Sequence, residues 1–287
     1  MSFSKLKFLS AMGIFGTVGI FVKFIPVDAA AIAFIRGVMG VAFLTIFMLL
    51  TKKKPDLRAV HHNLLLLLVS GAAIGLNWVL LFESYHYVSV ATATVCYYIA
   101  PLLFLLVSPL LGERLTKKKI GCVAVALIGL VFVSGILTES ETAQNRLPGI
   151  LLSLGAAALY TTVIVLNKKL TPIPAYDKTI VQLGGAAIVL IPYLFFTGFG
   201  INQPLTAIQT ILLIIVGVVH TGIAYTLYFG SMGSLAAQSI ALFSYLDPVI
   251  AVLLSALLLK EPMGIYNIIG TILILGSALY SELPGKQ

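Results

Sequence analysis

Charge is what this chain has least of. Only 10% of its 287 residues are Asp, Glu, Lys or Arg, whereas 60% are hydrophobic and the mean hydropathy is +1.08. Soluble domains carry about 25% charged residues, so a water-facing globular protein is excluded. Cysteine is scarce as well. Cys96 and Cys122 lie inside apolar runs without metal-type spacing, and read as small core residues, not as a disulfide or zinc framework. Long polar stretches are missing, the longest being TESETAQNRLP (Thr138 to Pro148), which leaves no room for a separate soluble domain. Neither GxxxxGK[ST] nor a kinase-like glycine loop occurs, so the chain holds no ATP-driven pump of its own. HExxH, GxSxG and acidic pairs are absent too, which argues against an enzyme and against a cofactor or metal.

What remains is a succession of apolar runs. A spanning helix needs about 20 mostly apolar residues, and ten candidates meet that measure, near 7–25, 30–51, 63–84, 91–111, 118–137, 148–167, 177–198, 208–230, 236–259 and 264–281. The expected fold is an all-α polytopic membrane protein. The first run, preceded by Lys5 and Lys7 and followed by Val27-Asp28-Ala29, also has the outline of a signal peptide. Its length and the span directly after it favour a transmembrane helix.

The net charge of +8 comes from short clusters between the runs and forms no basic arm or stripe, so nucleic acid is not the expected partner. Basic residues gather on the cytoplasmic side of a membrane protein. With the N-terminus inside, Lys5, Lys7, Lys52, Lys53, Lys54, Arg58, Arg114, Lys117, Lys118, Lys119, Lys168, Lys169, Lys178 and Lys286 fall on that side. The other side keeps Lys23, Arg146 and Lys260. The reading is a multi-pass protein of the inner (plasma) membrane with both termini cytoplasmic.

The chain repeats itself. CYYIAPLLFLLVSPLLGERL (Cys96 to Leu115) resembles FSYLDPVIAVLLSALLLKEP (Phe243 to Pro262), each with Tyr, then Pro, an apolar run and Glu at the membrane edge. Pro101 falls on Pro248 at an offset of 147. SGAAIGLNWVLLFESY (Ser70 to Tyr85) lies over VGVVHTGIAYTLYFGS (Val216 to Ser231), with Gly71 on Gly217 at 146. Arg36 falls on Gln182 at the same offset, and IGCVAVALIG (Ile120 to Gly129) meets IGTILILGSA (Ile269 to Ala278) at 149. Each half holds five spans, an odd number, so the second sits inverted relative to the first. Inverted repeats with a site at their midplane interface characterise secondary transporters. The expected division is residues 1–137, an external linker 138–147, and 148–287. Small residues line packing faces in both halves: Gly71 with Gly75, Gly217 with Thr221, and Gly13, Gly16 and Gly19 in the first span.

YYIAPLLFLLVSPLLGERLT (Tyr97 to Thr116), SYLDPVIAVLLSALLLKEP (Ser244 to Pro262) and FIRG (Phe34 to Gly37) resemble the drug/metabolite transporter superfamily, EamA type, over nearly the whole chain. The resemblance implies ten helices in two inverted five-helix halves, a central cavity from helices 1–4 and 6–9, and peripheral helices 5 and 10. It also implies movement of small metabolites, often export of amino acids or related compounds. The chain departs from the family in lacking a tryptophan in GIFGTVGIF (Gly13 to Phe21), and its first Pro…Glu interval is one residue shorter than its second.

Ionisable residues inside a span are functional candidates, because an unpaired charge there costs several kcal/mol. Arg36, Glu83, His220 and Asp247 qualify. Arg36 suits a solute carboxylate or Asp247, or else snorkels to the surface. Asp247 flanks a small-residue face of the ninth span and serves either substrate, a proton, or packing against Arg36. His220 is a proton carrier or a packed hydrogen-bonder, and Glu83 a further candidate for proton coupling. Trp78, Tyr97, Tyr98, Tyr160, Tyr225 and Tyr245 supply aromatic walls suited to planar or cationic solutes, and Gln182 a neutral hydrogen-bonding group. Pro101 and Pro248 are paired hinge candidates.

The expected function is a secondary active transporter, an exporter of a small amphipathic metabolite such as an amino acid, working by alternating access. Its partners are the solute, the lipid bilayer and protons, and it acts as a monomer or homodimer. The alternatives are a proton-coupled transporter of quaternary amines, drugs or nucleotide-type metabolites, an integral-membrane enzyme, or a passive channel.

Overall fold

The computed structural model describes residues 3–107, 109, 117–134, 142–198, 204–232, 243–261 and 263–283. They form α1 (Phe3–Lys23), α2 (Ala29–Leu50), α3 (Leu57–Ser84), α4 (Val90–Tyr97), α5 (Ala100–Val107), α6 (Lys117–Ser134), α7 (Thr142–Lys168) and α8 (Ala175–Thr197). These are followed by α9 (Ala207–Gly217), a π-helical turn (Val218–Ile223), α10 (Ala224–Met232), α11 (Leu246–Leu258) and α12 (Ile265–Glu282). No strand occurs among the described residues. Six helical stretches are long and apolar enough to cross a bilayer by length and composition, and four shorter apolar ones occupy the remaining predicted spans.

Helix starts follow the local chemistry. Asp56 accepts from the Ala59 amide at 3.0 Å and opens α3, Ser89 accepts from Thr92 at 3.0 Å and opens α4, and Thr206 with Gln209 closes a capping box on α9. The polar segment before Pro148 is not wholly a connection, since α7 already begins at Thr142. Residues 138–141 lie outside the described residues, as do Glu113 and the predicted start of the ninth span at 236.

The fourth span is two helices, not one. The chain turns at Tyr98 and Ile99, where the amides of Ile99 and Leu102 reach only three residues back, to Cys96 at 3.3 Å and to Ile99 at 2.9 Å. The ninth span turns at Tyr245, the repeat counterpart of Tyr98. Each break lies three residues before its proline, which has no amide to continue the ladder. The rings of Tyr98 and Tyr245 lie 6.2 Å apart, so the two breaks meet.

The packing shows the two-fold relation of the halves. α1 packs on α10 and α11, and correspondingly α7 packs on α3 and α4. α3 lies along α8, as the α9–π segment lies along α2. α2 pairs with α8 and α6 with α12, each a helix with its own repeat partner. Inverted five-helix repeats related by an axis in the membrane plane produce this pattern. The α3–α8 seam depends on small residues: a Cβ on Gly75 would come within 2.6 Å of the Ala186 carbonyl oxygen, and one on Gly71 would strike the backbone of Gln182.

Candidate functional site

Between the halves lies a cavity of about 590 Å³. Arg36, Trp78, Tyr97, Tyr98, Tyr160, Gln182, Tyr225, Tyr245 and Asp247 all line it. It is large enough for a small metabolite, since ligand pockets run from about 300 to 1,000 Å³.

Arg36 comes from the buried face of α2 and is 4% exposed, so it does not snorkel. Its guanidinium carbon lies 4.0 Å from the centroid of the Trp78 ring and 5.4 Å from that of Phe82. Its Nε donates to Thr221 Oγ1 at 3.1 Å. Thr221 sits in the π-helical turn, where its hydroxyl also donates to the carbonyl of Val216, five residues back, at 3.2 Å. The wide turn therefore presents the oxygen that Arg36 uses while its guanidinium lies over the indole. Among the described residues no acceptor meets the two terminal nitrogens of Arg36.

Asp247, in the first turn of α11 just past the break, accepts a hydrogen bond from the Tyr98 hydroxyl at 2.7 Å. It makes no ion pair with Arg36. Among the described residues the ion pair is Lys23–Glu261, at 3.6 Å. The pairing considered from sequence is thus replaced by two separate side chains, one lying over an indole, the other held by a phenol.

Aromatic rings connect these features. Tyr160, Tyr97, Tyr98 and Tyr245 form a chain with centroid separations of 5.6, 5.7 and 6.2 Å, and Tyr225 packs on Phe15 at 5.4 Å. Gln182 donates to Ser70 Oγ and to Asn167 Oδ1, both at 2.7 Å, tying α8 to α3 and α7 at the cavity wall.

Among the described residues His220, Glu83 and Pro248 are not part of the cavity lining, and the side chain of Pro101 lies outside the described residues. His220 is 1% exposed, 2.8 Å from Thr17 Oγ1 through Nε2 and 3.3 Å from the Ile215 carbonyl through Nδ1, with its ring 4.9 Å from that of Phe21. Both nitrogens are engaged, as in a packing residue. His220→Ala should therefore destabilise the protein by about 1–3 kcal/mol while leaving its response to solute intact, which a melting curve with and without solute checks. Glu83 is half-buried one residue before the end of α3.

The sequence reading missed Asn77, Phe82, Tyr85, Asn167, Lys168, Lys178 and Tyr228, all of which line the cavity. In the sequence Lys168 and Lys178 count only as topology charges. The repeat offered a signal for Asn77, which stands beside Trp78 in the segment matched to the Tyr225 helix.

Similarity to known proteins bears on the family and the fold. The model of the EamA-like transporter family matches residues 3–135 and again 147–281. "Uncharacterized transporter YxxF" of Bacillus subtilis (strain 168) is 28% identical over 95% of this chain and 87% of its own length. A "Probable amino-acid metabolite efflux pump" of Salmonella typhimurium is 30% identical over 61% of this chain and 60% of its own. A protein of otherwise unstated role, solved by crystallography, superposes with a TM-score of 0.62 at 21% identity, covering 97% of this chain and 96% of that one. At that identity the likeness concerns the fold.

Proposed function

The chain belongs to the EamA-like transporter family, and from that premise we propose a secondary active transporter that exports a small amphipathic metabolite, in first place an amino acid. One observation carries the reading: Arg36 and Asp247 line the same aromatic cavity without being paired to each other. A guanidinium with open terminal nitrogens suits a carboxylate. A carboxylate among tyrosines suits an ammonium group, and the rings suit the side chain between them. The efflux relative of Salmonella typhimurium, named for amino-acid metabolites, supports the same class.

In this reading the halves 1–137 and 148–287 rock against each other about the cavity, with the helix breaks before Pro101 and Pro248 as hinges. Where protons couple to transport, Asp247 carries them, being the acid at the cavity, while His220 and Glu83 do not. The termini lie in the cytoplasm and the protein in the inner membrane, by the distribution of its basic residues. Quaternary amines form the second reading, favoured by Asp247 amid Tyr97, Tyr98 and Tyr160.

A thermal-shift screen of purified protein against amino acids, quaternary amines and nucleosides separates these readings, because a ligand that binds only the folded state stabilises it. Amino acids should raise the melting temperature, and Asp247→Asn should remove the effect. A shift by quaternary amines alone that survives Arg36→Lys selects the second reading. Intact amino-acid transport in both Arg36→Lys and Asp247→Asn would overturn the site assignment.

A further inference from the structure

The cavity reaches Asn167, Lys168 and Lys178 at one end. This end shares a face with the start of α3, where Asn63 Nδ2 donates to Thr171 Oγ1 at 2.9 Å and the Asp56 amide to Asp177 at 2.8 Å. α3 then runs 28 residues to the opposite face, about 42 Å at 1.5 Å per residue. There the halves are joined by a compact polar cluster.

Its centre is Glu261, whose side chain is 15% exposed. Lys260, at a φ of 52°, ends the α11 segment in the left-handed region, and the Glu261 amide folds back to the Ser255 carbonyl at 3.3 Å. The Glu261 carboxylate accepts the Val90 amide at 2.9 Å and the Ser255 hydroxyl, and lies 3.6 Å from Lys23. Ser255 Oγ in turn accepts the Ala91 amide at 3.3 Å, and Lys23 donates to the Tyr85 carbonyl at 2.6 Å. Two of the first amides of α4, which a helix cannot satisfy internally, are therefore satisfied by side chains of the other half. α1, α3 and α4 are clamped onto α11 at one point.

We propose that Glu261 is the latch of the transport cycle: by capping α4 and pairing with Lys23 it holds the cavity shut at this end while the Lys168–Lys178 end is accessible. The elements it joins are the broken helix α4, the helix α11 that follows the second break and packs on α4, and α1, which packs on α11. A carboxylate favours a helix N-terminus both by accepting its amides and by opposing the positive end of the dipole. When the halves separate, those amides and the carboxylate meet water at the membrane edge, so release leaves no buried group unpaired. The latch rests on the alternating-access reading but not on which membrane face is cytoplasmic.

Accessibility of a cavity cysteine tests it. Leu81 lines the cavity, and a Leu81→Cys reporter is placed in Cys96→Ala/Cys122→Ala protein, reconstituted in liposomes, and treated with an impermeant maleimide from each side. The reporter should react from the Lys168–Lys178 face only. Glu261→Gln should raise its reaction rate from the other face at least tenfold, and Ser255→Ala, which leaves the ion pair in place, should raise it less. The exchange Lys23→Glu with Glu261→Lys should not restore closure, because a lysine cannot accept the Val90 amide. Unchanged rates in both Glu261→Gln and Ser255→Ala, or full rescue by the exchange, would overturn the latch. Enhanced labelling without solute counterflow in the parent protein would show that Glu261 closes this end, but would overturn alternating access and with it the latch's place in a transport cycle.

Discussion

Arg36→Ala should abolish solute binding at concentrations that saturate the native protein, and Arg36→Lys should weaken it at least tenfold. The alanine variant removes the cation at the cavity wall and leaves Thr221 and the Trp78 face without their partner. A charge-assisted hydrogen bond contributes about 1.5–3 kcal/mol, and a bidentate guanidinium–carboxylate pair adds a second contact. At about 1.4 kcal/mol per factor of ten, loss of one such contact already gives tenfold. Lysine keeps the charge but loses the planar group that lies on the indole and the Nε–H that Thr221 accepts. The titration of the solute-induced melting shift in both variants checks the expectation. A lysine variant that binds like the native protein would mean that only positive charge counts at this position.

The second large effect concerns stability. Gly71→Leu should prevent recovery of folded protein, and Gly75→Ala should lower the melting temperature measurably. α3 and α8 approach so closely that any Cβ at Gly71 strikes the Gln182 backbone, and one at Gly75 lies 2.6 Å from the Ala186 carbonyl oxygen. Backbone cannot rotate aside as a side chain can, so the helices must part along the whole seam. Overpacking of this kind costs about 1–3 kcal/mol for a small increment and more for a large one. Parting the helices also draws Gln182 away from Ser70 and Asn167. Recovery of monodisperse protein in size-exclusion chromatography, with melting curves, gives the measurement. Gly184→Ala serves as the control, because a Cβ there meets nothing within 4 Å.

Architecture was largely legible in the sequence because bilayer physics writes it plainly. Apolar runs of about 20 residues are what a bilayer crossing demands and what a soluble fold rarely holds, and the repeat of Pro101 and Pro248 tied the halves together. The cavity aromatics and Arg36 were legible for the same reason: polar and ionisable groups are tolerated in a span only where something meets them. Three matters were not. The turns at Tyr98 and Tyr245 need backbone geometry, since a proline alone is compatible with a kinked but continuous helix. The engagement of His220 by Thr17 and Ile215 depends on a helix crossing that periodicity does not specify. Glu261 stood in view as the end of the second Pro…Glu motif, yet its partners Val90 and Lys23 lie far from it along the chain. Only the folded packing of α1, α4 and α11 makes them neighbours.

The π-helical turn at Val218–Ile223 bears on the ancestry of the two halves. A π-bulge accommodates one residue more than an α-helical turn does. Ahead of it the halves correspond at 146, Arg36 with Gln182 and Gly71 with Gly217. Beyond it they match better at 147: Trp78 with Tyr225, Phe82 with Phe229, Ser84 with Ser231, Tyr98 with Tyr245. The C-terminal copy thus carries an insertion inside the bilayer that its N-terminal twin in α3 lacks. In an unbroken α-helix one extra residue would swing everything after it by about 100° and turn Tyr225 off the cavity. The bulge absorbs that rotation, so Tyr225 still faces the cavity as Trp78 does, and the same widened turn supplies the hydroxyl that Arg36 uses. Divergence after duplication here left the wall of the cavity in place and made its two sides chemically unequal.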